Sequence, residues 1–343
     1  MPIVSARSIG ARVRIIVAGR LDEWRHPPVL AKSRGHYSPR VSTGSRRHLL
    51  LVNPSAGAGR VAELLPRAQR ALETSGVEYR KVETTSLEHA CREARAAAEQ
   101  GEVTIVMSGD GMIGQVGGAL AETGAALGLM PAGRGNDLAR VLGIPDDPEG
   151  ATQLIAAGTT RAIDVGVLNG KRFLGIASCG FDSDANRIAN EARFVKGHLV
   201  YLYAALRALA AWKPARFTLT LDGRERVVIG YSAGACNNKA YGGGMYAAPD
   251  ALLDDGLFDV LWVEQMSKIR FLTQCLPKIF KGTYVELSEV GMERAASVRI
   301  EADRPFAVYA DGDHLSDLPA TLRVLPRALE IIAPPGPLVG PPA

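Results

Sequence analysis

No run of eighteen apolar residues occurs in the 343-residue chain, so no segment reads as a membrane-spanning helix. Cysteine is scarce. Cys91, Cys179, Cys236 and Cys275 stand far apart without a CxxC pair, which excludes a zinc-finger spacing and a disulfide framework and fits a reducing compartment. The phosphate-binding pattern GxxxxGK[ST] is missing, so no P-loop is present. The histidines show no ligand spacing. With 47% hydrophobic and 22% charged residues, the composition excludes a disordered chain, a collagen and a coiled coil. The length predicts two domains, each large enough to bury a core.

Charge is unevenly placed. Residues 1–47 hold ten Lys/Arg and two acids, a net +8; against the total of +4, the rest of the chain carries −4. The leader, with Pro27-Pro28, Pro39 and no long amphipathic period, reads as a disordered basic arm without a secretory h-region. Anionic lipid is the partner such an arm would lean on. The mildly acidic body gives no reason to expect a nucleic-acid partner. Val13 to Val17 is a weak strand candidate.

From residue 48 onward, apolar runs and helical periods alternate. Strands are expected at 48–52, 78–83, 103–107 and 127–130, and helices at 60–75, 87–100, 113–121 and 136–142. This rhythm implies βαβ units and an open parallel sheet with helices on both faces. Beyond residue 163 the texture changes. Strand-like segments at 173–177, 216–221, 226–233, 258–263, 297–302, 306–310 and 320–325 predict an antiparallel β-sandwich. Helices at 198–212 and 268–281 interrupt it, the second amphipathic and basic at Lys268, Arg270, Lys278 and Lys281.

Three glycine-rich loops follow three of the first strands: Asn53-Pro54-Ser55-Ala56-Gly57-Ala58-Gly59, Ser108-Gly109-Asp110-Gly111, and Pro131-Ala132-Gly133-Arg134-Gly135-Asn136-Asp137. In a parallel sheet, loops at strand C-terminal ends share one edge, where ligands bind. Glycine lets backbone N–H groups approach an anion, and helix N-termini add a favourable dipole. One such loop is ordinarily a turn; three in register point to phosphate. Read without context, Asp254-Asp255-Gly256 and Asp311-Gly312 are hairpin turns, Asp137 is a helix cap, and Tyr241 to Met245 is either a lid or a plain loop.

These segments resemble the diacylglycerol kinase catalytic domain family, the lipid kinases that include sphingosine kinases and bacterial lipid kinases. NPSAGAG (53–59) is similar to the family's first loop, and SGDG (108–111) to its GGDG loop. PAGRGNDLAR (131–140) is similar to the pattern P-x-G-T-x-N-D-x-A-R, with Arg134 in place of Thr, and Asp164-Val165-Gly166 is similar to its ID-x-G. APDALLDDGLFDV (248–260) is similar to its metal-binding segment, and Asp311-Gly312-Asp313 stands where the family has Asp-Gly-Glu. The order agrees from about Leu49 to Ile332.

The resemblance implies a nucleotide-binding α/β domain over 48–162 and a β-sandwich lipid-binding domain over 163–326. It also implies a return strand at 327–334 before a tail at 335–343, with the active site in the cleft. It implies an ATP-dependent kinase acting on a lipid alcohol, diacylglycerol or a sphingoid base, with Mg²⁺, in the cytoplasm and peripheral at the membrane. Nucleotide would be held by Asn53, Gly57, Gly59, Thr84, Ser108, Gly109, Asp110, Gly111, Met112, Gly114, Gly133, Arg134 and Asn136. Magnesium would be held by Asp255 and the carbonyls of Leu252 and Leu257. Asp110, Asp137 and Asp164 would form a water-bridged network towards that metal. The base would be Asp313, with Asp110 beside it. Met112, Gln115, Arg134 and Asp313 depart from the usual residues, so a nucleotide- or lipid-binding member without turnover stays as an alternative. An NAD kinase is a further alternative, opposed by the Asn-Pro glycine loop. The oligomeric state is open, a homodimer included.

Overall fold

A computed structural model describes residues 40–41, 47–191 and 199–341. Most of the leader, including Val13 to Val17, lies outside the described residues, as does His198. Within the leader, β1 (Arg40–Val41) pairs antiparallel with Thr159 and Thr160, so the expected disordered arm does not run unbroken to residue 47.

The first half alternates as expected: β2 (His48–Val52), α1 (Arg60–Thr74), β3 (Tyr79–Glu83), α2 (Leu87–Glu99), β4 (Val103–Ser108), α3 (Asp110–Leu120) and β5 (Ala126–Pro131). The strands run parallel in the order β3-β2-β4-β5. β4 and β5 are buried at every residue, because helices cover both faces of a parallel sheet. α2 starts where Ser86 accepts the His89 N–H, and it buries only alanines (Ala90, Ala94, Ala97), so its axis lies close to the sheet. Two short helices follow, α4 (Asp137–Leu142) and α5 (Pro148–Ala157). The expectations missed α5, although Asp147 caps it and Pro148 opens it.

The second half is antiparallel. It comprises β6 (Thr159–Leu168), β7 (Lys171–Phe173), β8 (Ile176–Gly180), α6 (Phe181–Glu191), α7 (Leu199–Ala211), β9 (Ala215–Leu221), β10 (Arg224–Cys236) and β11 (Phe258–Glu264). A helical segment, α8 (residues 268–279), precedes β12 (Val290–Ala295), β13 (Ser297–Ala302), β14 (Ala307–Ala310), β15 (Asp313–Asp317) and β16 (Ala320–Ile332). Strand order is β15-β14-β8-β10-β9-β13-β16, with β11 and β12 continuing from β10. Phe173, Phe217, Tyr231, Phe258 and Tyr284 fill the core of this β-sandwich-like half.

Two expectations need correction. The return segment at 327–334 is not a separate strand. β16 runs unbroken from Ala320 to Ile332, pairing antiparallel with β6 and then, at Glu330 and Ile331, parallel with β5. A bulge between Leu325 and Leu329, with Arg327 at φ 52°, re-aims the strand so that it serves both halves. Nor is 268–281 one continuous α-helix. A π turn at Phe271–Cys275 separates two short α-helical pieces. Pro277 has no N–H to offer the preceding turn, which favours the wider winding.

Candidate active site

The three glycine loops meet at the C-terminal ends of β2, β4 and β5. Their approach is backbone on backbone. A Cβ on Gly133 would stand 2.5 Å from the Gly109 Cα, and one on Gly57, at φ 62°, would stand 2.2 Å from the Ala132 carbonyl oxygen. Arg60 Nη1 donates to the Gly133 carbonyl at 3.2 Å, tying the first loop to the third. Gly133→Ala should therefore push the second and third loops apart. We expect nucleotide affinity, read by fluorescent-nucleotide titration, to fall at least about tenfold, with a loss of roughly 1–3 kcal/mol in denaturant unfolding. Unchanged affinity would refute the tight apposition.

Asp110 opens α3 and latches the third loop: its Oδ2 accepts the Asn136 N–H at 2.8 Å and its Oδ1 the Asp137 N–H at 2.9 Å. Burial, then repulsion from Asp137, pushes its carboxyl up to about 6. Asn136, at φ 53°, accepts the Gly133 N–H at 2.9 Å and holds the loop curled. Asp137 is more than a helix cap. Its carboxylate accepts the N–H groups of Gly243 and Gly244, each at 2.8 Å, and pairs with Arg140 at 2.8 Å. The Tyr241–Met245 loop is thus pinned across the site, closed on itself by Tyr241–Met245 backbone hydrogen bonds.

The hairpin after β14 completes this wall. Asp311, at φ 53°, accepts the Leu174 N–H at 2.8 Å and the Gly175 N–H at 2.7 Å. Burial pushes its carboxyl up to about 6, with Asp110 and Asp313 adding repulsion. Gly114 and Gly175 leave room for it, since a Cβ on either would meet a carboxylate oxygen at 2.6 or 2.4 Å. Asp313 stands beside Gly111, whose Cβ would lie 3.2 Å from Asp313 Oδ2. Partial burial alone raises its carboxyl, and no hydrogen bond engages that carboxylate among the described residues.

Other expected residues are placed less centrally. Asn53 accepts from the Ser55 N–H and hydroxyl, shaping its own loop. Thr84 lies on the rim and donates its hydroxyl to the Val52 carbonyl. Ser108 is buried, Gly59 faces open space, and Arg134 is exposed. The Met112 side chain packs in the core, so only its backbone can serve a nucleotide.

Of the expected network of Asp110, Asp137 and Asp164, the first two are joined directly by the Asp137 N–H, and Asp164 holds other stretches of backbone. Asp164 Oδ1 accepts the Arg327 N–H and Oδ2 the Gly256 N–H, both at 2.7 Å, so its carboxylate belongs with the 252–257 turn. Burial, partly offset by these bonds, holds it at about 6, with Asp255 and Asp254 repelling it. In that turn Asp255 Oδ1 accepts the Leu257 N–H at 3.1 Å, and Arg294 stands 3.7 Å from Oδ2. Asp254 pairs with Arg161 at 3.1 Å. Sequence reasoning named Asp164 and Asp110 but not the backbone groups that each carboxylate holds.

Asp110, Asp137 and Asp311 stand at one end of a cavity of about 250 Å³. The rest of its wall is largely apolar, with Phe181, Leu261, Val263, Phe271, Leu276 and Ile279. Sequence reasoning missed Asp311, Gly175, Gly243 and Arg140 as site residues. The only signal available for Asp311 was its place in the Asp-Gly-Asp triplet.

Phosphate-type loops, carboxylates and an apolar cavity together define a group-transfer site for an amphipathic acceptor. Residues 47–168 match the diacylglycerol kinase catalytic domain, and residues 175–333 match the YegS C-terminal NAD kinase beta sandwich-like domain. A diacylglycerol kinase of Mycobacterium tuberculosis is 36% identical over 302 residues, covering 84% of this chain and 97% of that protein. One from Staphylococcus aureus is 28% identical over 295 residues, covering 84% and 93%. A crystal structure of a diacylglycerol kinase from Bacillus anthracis has the same fold, with TM-score 0.67 at 22% identity, covering 86% of this chain and 98% of that one. The chain belongs to the diacylglycerol kinase catalytic domain family of lipid kinases.

Proposed function

We propose that this protein transfers the γ-phosphoryl group of ATP to the hydroxyl of a lipid alcohol, diacylglycerol or a sphingoid base, with Mg²⁺. The observation that carries this reading is a cavity in which Asp110, Gly114, Gly135 and Asp137 of the glycine segments, with Asp311, adjoin an apolar interior. The nucleotide phosphates lie on the loops at 53–59, 108–114 and 133–136, and the lipid chain lies in the apolar part. The 48–162 and 163–326 halves keep their separate tasks although β16 unites them.

Magnesium suits this donor set. Among the described residues no three Asp, Glu, His or Cys side chains converge as ligands. A cation here would rely on one or two carboxylates, backbone carbonyls, water and the nucleotide's own phosphates, which is how Mg²⁺ is usually held. Asp255 with the Leu252 and Leu257 carbonyls is one such set. When bound, the ion neutralises phosphate charge. The chain's own part is to orient and to move a proton. Asp110 and Asp137 fix the loops, Asp311 fixes the hairpin that carries Asp313, and Asp313 accepts the proton of the lipid hydroxyl. A free carboxylate beside the loop of Gly111 is the group best placed to do so.

The enzyme works at a membrane surface on the cytoplasmic side. No described helix is long and apolar enough to cross a membrane. On α8, Arg270 is paired with Glu289 and Lys268 donates to the Ala210 carbonyl. This leaves Lys278 and Lys281, with exposed Ile269 and Phe280, as the face offered to lipid. Co-sedimentation with anionic vesicles that does not weaken with salt would contradict that face.

The test is phosphoryl transfer from radiolabelled ATP to diacylglycerol, sphingosine, ceramide and monoacylglycerol in mixed micelles, with Mg²⁺ and with chelator. A labelled lipid that requires Mg²⁺ is expected; nucleotide binding without labelled product would favour a binding protein. With Asp110 and Asp311 both raised to about 6, kcat/KM should fall as pH drops through about 6, because protonation weakens their hold on the backbone N–H groups that position the loop and the hairpin. A profile flat from about pH 5 to about pH 8 would oppose these roles.

A further inference from the structure

The cavity contains a second polar place that phosphoryl transfer does not use. Asp182, in the first turn of α6, lines it among Phe181, Leu261, Val263 and Phe271. Ser232 lines the cavity with it, and burial lifts the Asp182 carboxyl to about 6, Ser232 acting in the opposite sense. Burial, and secondarily this carboxylate's charge, raises the Tyr241, Tyr284 and Cys275 side chains, which line the same cavity. No Lys, Arg or His lines the cavity among the described residues. A carboxylate facing an apolar space without a cation is costly unless a ligand brings a donor to it.

The register places this group relative to the reaction. Along β8 and β10, Gly180 pairs with Ser232 and Ile176 with Cys236. Gly175, next to Ile176, donates to Asp311 at the reacting end. Five residue steps therefore separate Gly175 from Gly180, roughly 17 Å. Tyr241 stands between the two polar places, its phenol influenced by both Asp182 and Asp137.

We propose that Asp182 and Ser232 recognise a hydroxyl carried on the hydrocarbon chain of the acceptor lipid, roughly 17 Å along the strands from the Gly175–Asp311 contact at the reacting end. The enzyme then selects lipid alcohols with a hydroxylated acyl chain. A site built to hydrogen-bond a substrate hydroxyl discriminates strongly against the analogue lacking it, because its own polar groups are left unpaired. This inference rests on the lipid-kinase reading.

The experiment compares dioleoylglycerol with diricinoleoylglycerol, whose acyl chains differ only by one mid-chain hydroxyl each, using the full chain. The hydroxylated lipid is expected to show a kcat/KM roughly 10- to 100-fold higher. Asp182→Leu should erase that preference, raising KM for the hydroxylated lipid and lowering it for the plain one. Asp182→Asn, which keeps the shape and one acceptor, should retain part of it, and Ser232→Ala should narrow it. Equal kcat/KM in the unaltered protein, or a preference that survives in both Asp182 variants, overturns the proposal. If neither lipid is phosphorylated, the phosphoryl-transfer reading fails separately. The ratio of dissociation constants, read from Trp212 fluorescence, then decides the site, since Trp212 packs edge-on against Phe181 at 5.8 Å. Equal constants overturn the proposal there too.

Discussion

Asp313→Asn should lower kcat for lipid phosphorylation by about 10²- to 10⁴-fold, the usual contribution of a positioned general base. The amide keeps the shape of the side chain but cannot accept the lipid proton. The KM for ATP should change little if, as proposed, the nucleotide is held by the glycine loops. Asp313→Glu restores the residue type usual at this place in the family and adds one methylene of reach; activity within about tenfold of the parent is expected. Asp311→Asn is the necessary control. Its carboxylate already accepts two backbone N–H groups, so the amide loses an acceptor and disturbs the hairpin. It should therefore lower thermal stability as well as rate, whereas Asp313→Asn should leave stability nearly unchanged. If Asp313→Asn keeps most of its activity while Asp311→Asn loses it without losing stability, the base is Asp311.

The largest effect on stability should come from Asp164→Ala. The substitution strands the Arg327 and Gly256 N–H groups, which the carboxylate holds at 2.7 Å inside the protein. Two unpaired buried donors and the small cavity left behind should together cost about 2–5 kcal/mol in chemical unfolding. The cost should be felt as loss of the β16 bulge, since the Arg327 bond stabilises its positive φ. Asp164→Asn keeps one acceptor and should cost less. The pH dependence follows from the direction of the shift. Asp164 is held at about 6, above its usual value, so the folded state binds more protons than the unfolded one between those two values. Stability from this group therefore rises as pH falls through that window and is lost as pH rises through about 6. The penalty of Asp164→Asn should accordingly be smaller near pH 8 than near pH 5. A penalty that grows with pH would show that the carboxylate is favoured, not disfavoured, by its surroundings.

Much of the first half was legible in order. β2, β4 and β5 are short apolar runs ended by glycine or proline, and the helices between them carry a plain apolar period, so local pattern and tertiary role agree. α5 was legible too, through Asp147 and Pro148, yet its six preceding residues look like loop. In the second half, β9 alternates buried and exposed residues and was easy to find. β12 and β15 were not, because Val290–Ala295 is only half buried and Asp313–Asp317 is a polar edge strand whose residues carry no apolar alternation.

At the site, the linear chain marked the glycines where backbones must touch and an aspartate at the start of α3. It also marked Asp313 through the Asp-Gly-Asp triplet. It did not determine which carboxylates share a side. Asp110 and Asp137 lie 27 positions apart and meet through backbone bonds, whereas Asp164 lies as close to Asp137 in sequence but is carried away along β6 to the bulge of β16. Asp182 was still less legible, since Phe181-Asp182-Ser183 reads as any helix start. Only the pairing of β8 with β10, and the packing of α8 over them, encloses that carboxylate in an apolar cavity. Local pattern encodes strands, turns and glycine loops because those depend on neighbours in the chain. Which charges are brought together, and which are left facing an apolar space, depends on sheet register, and that is decided by contacts between residues far apart in sequence.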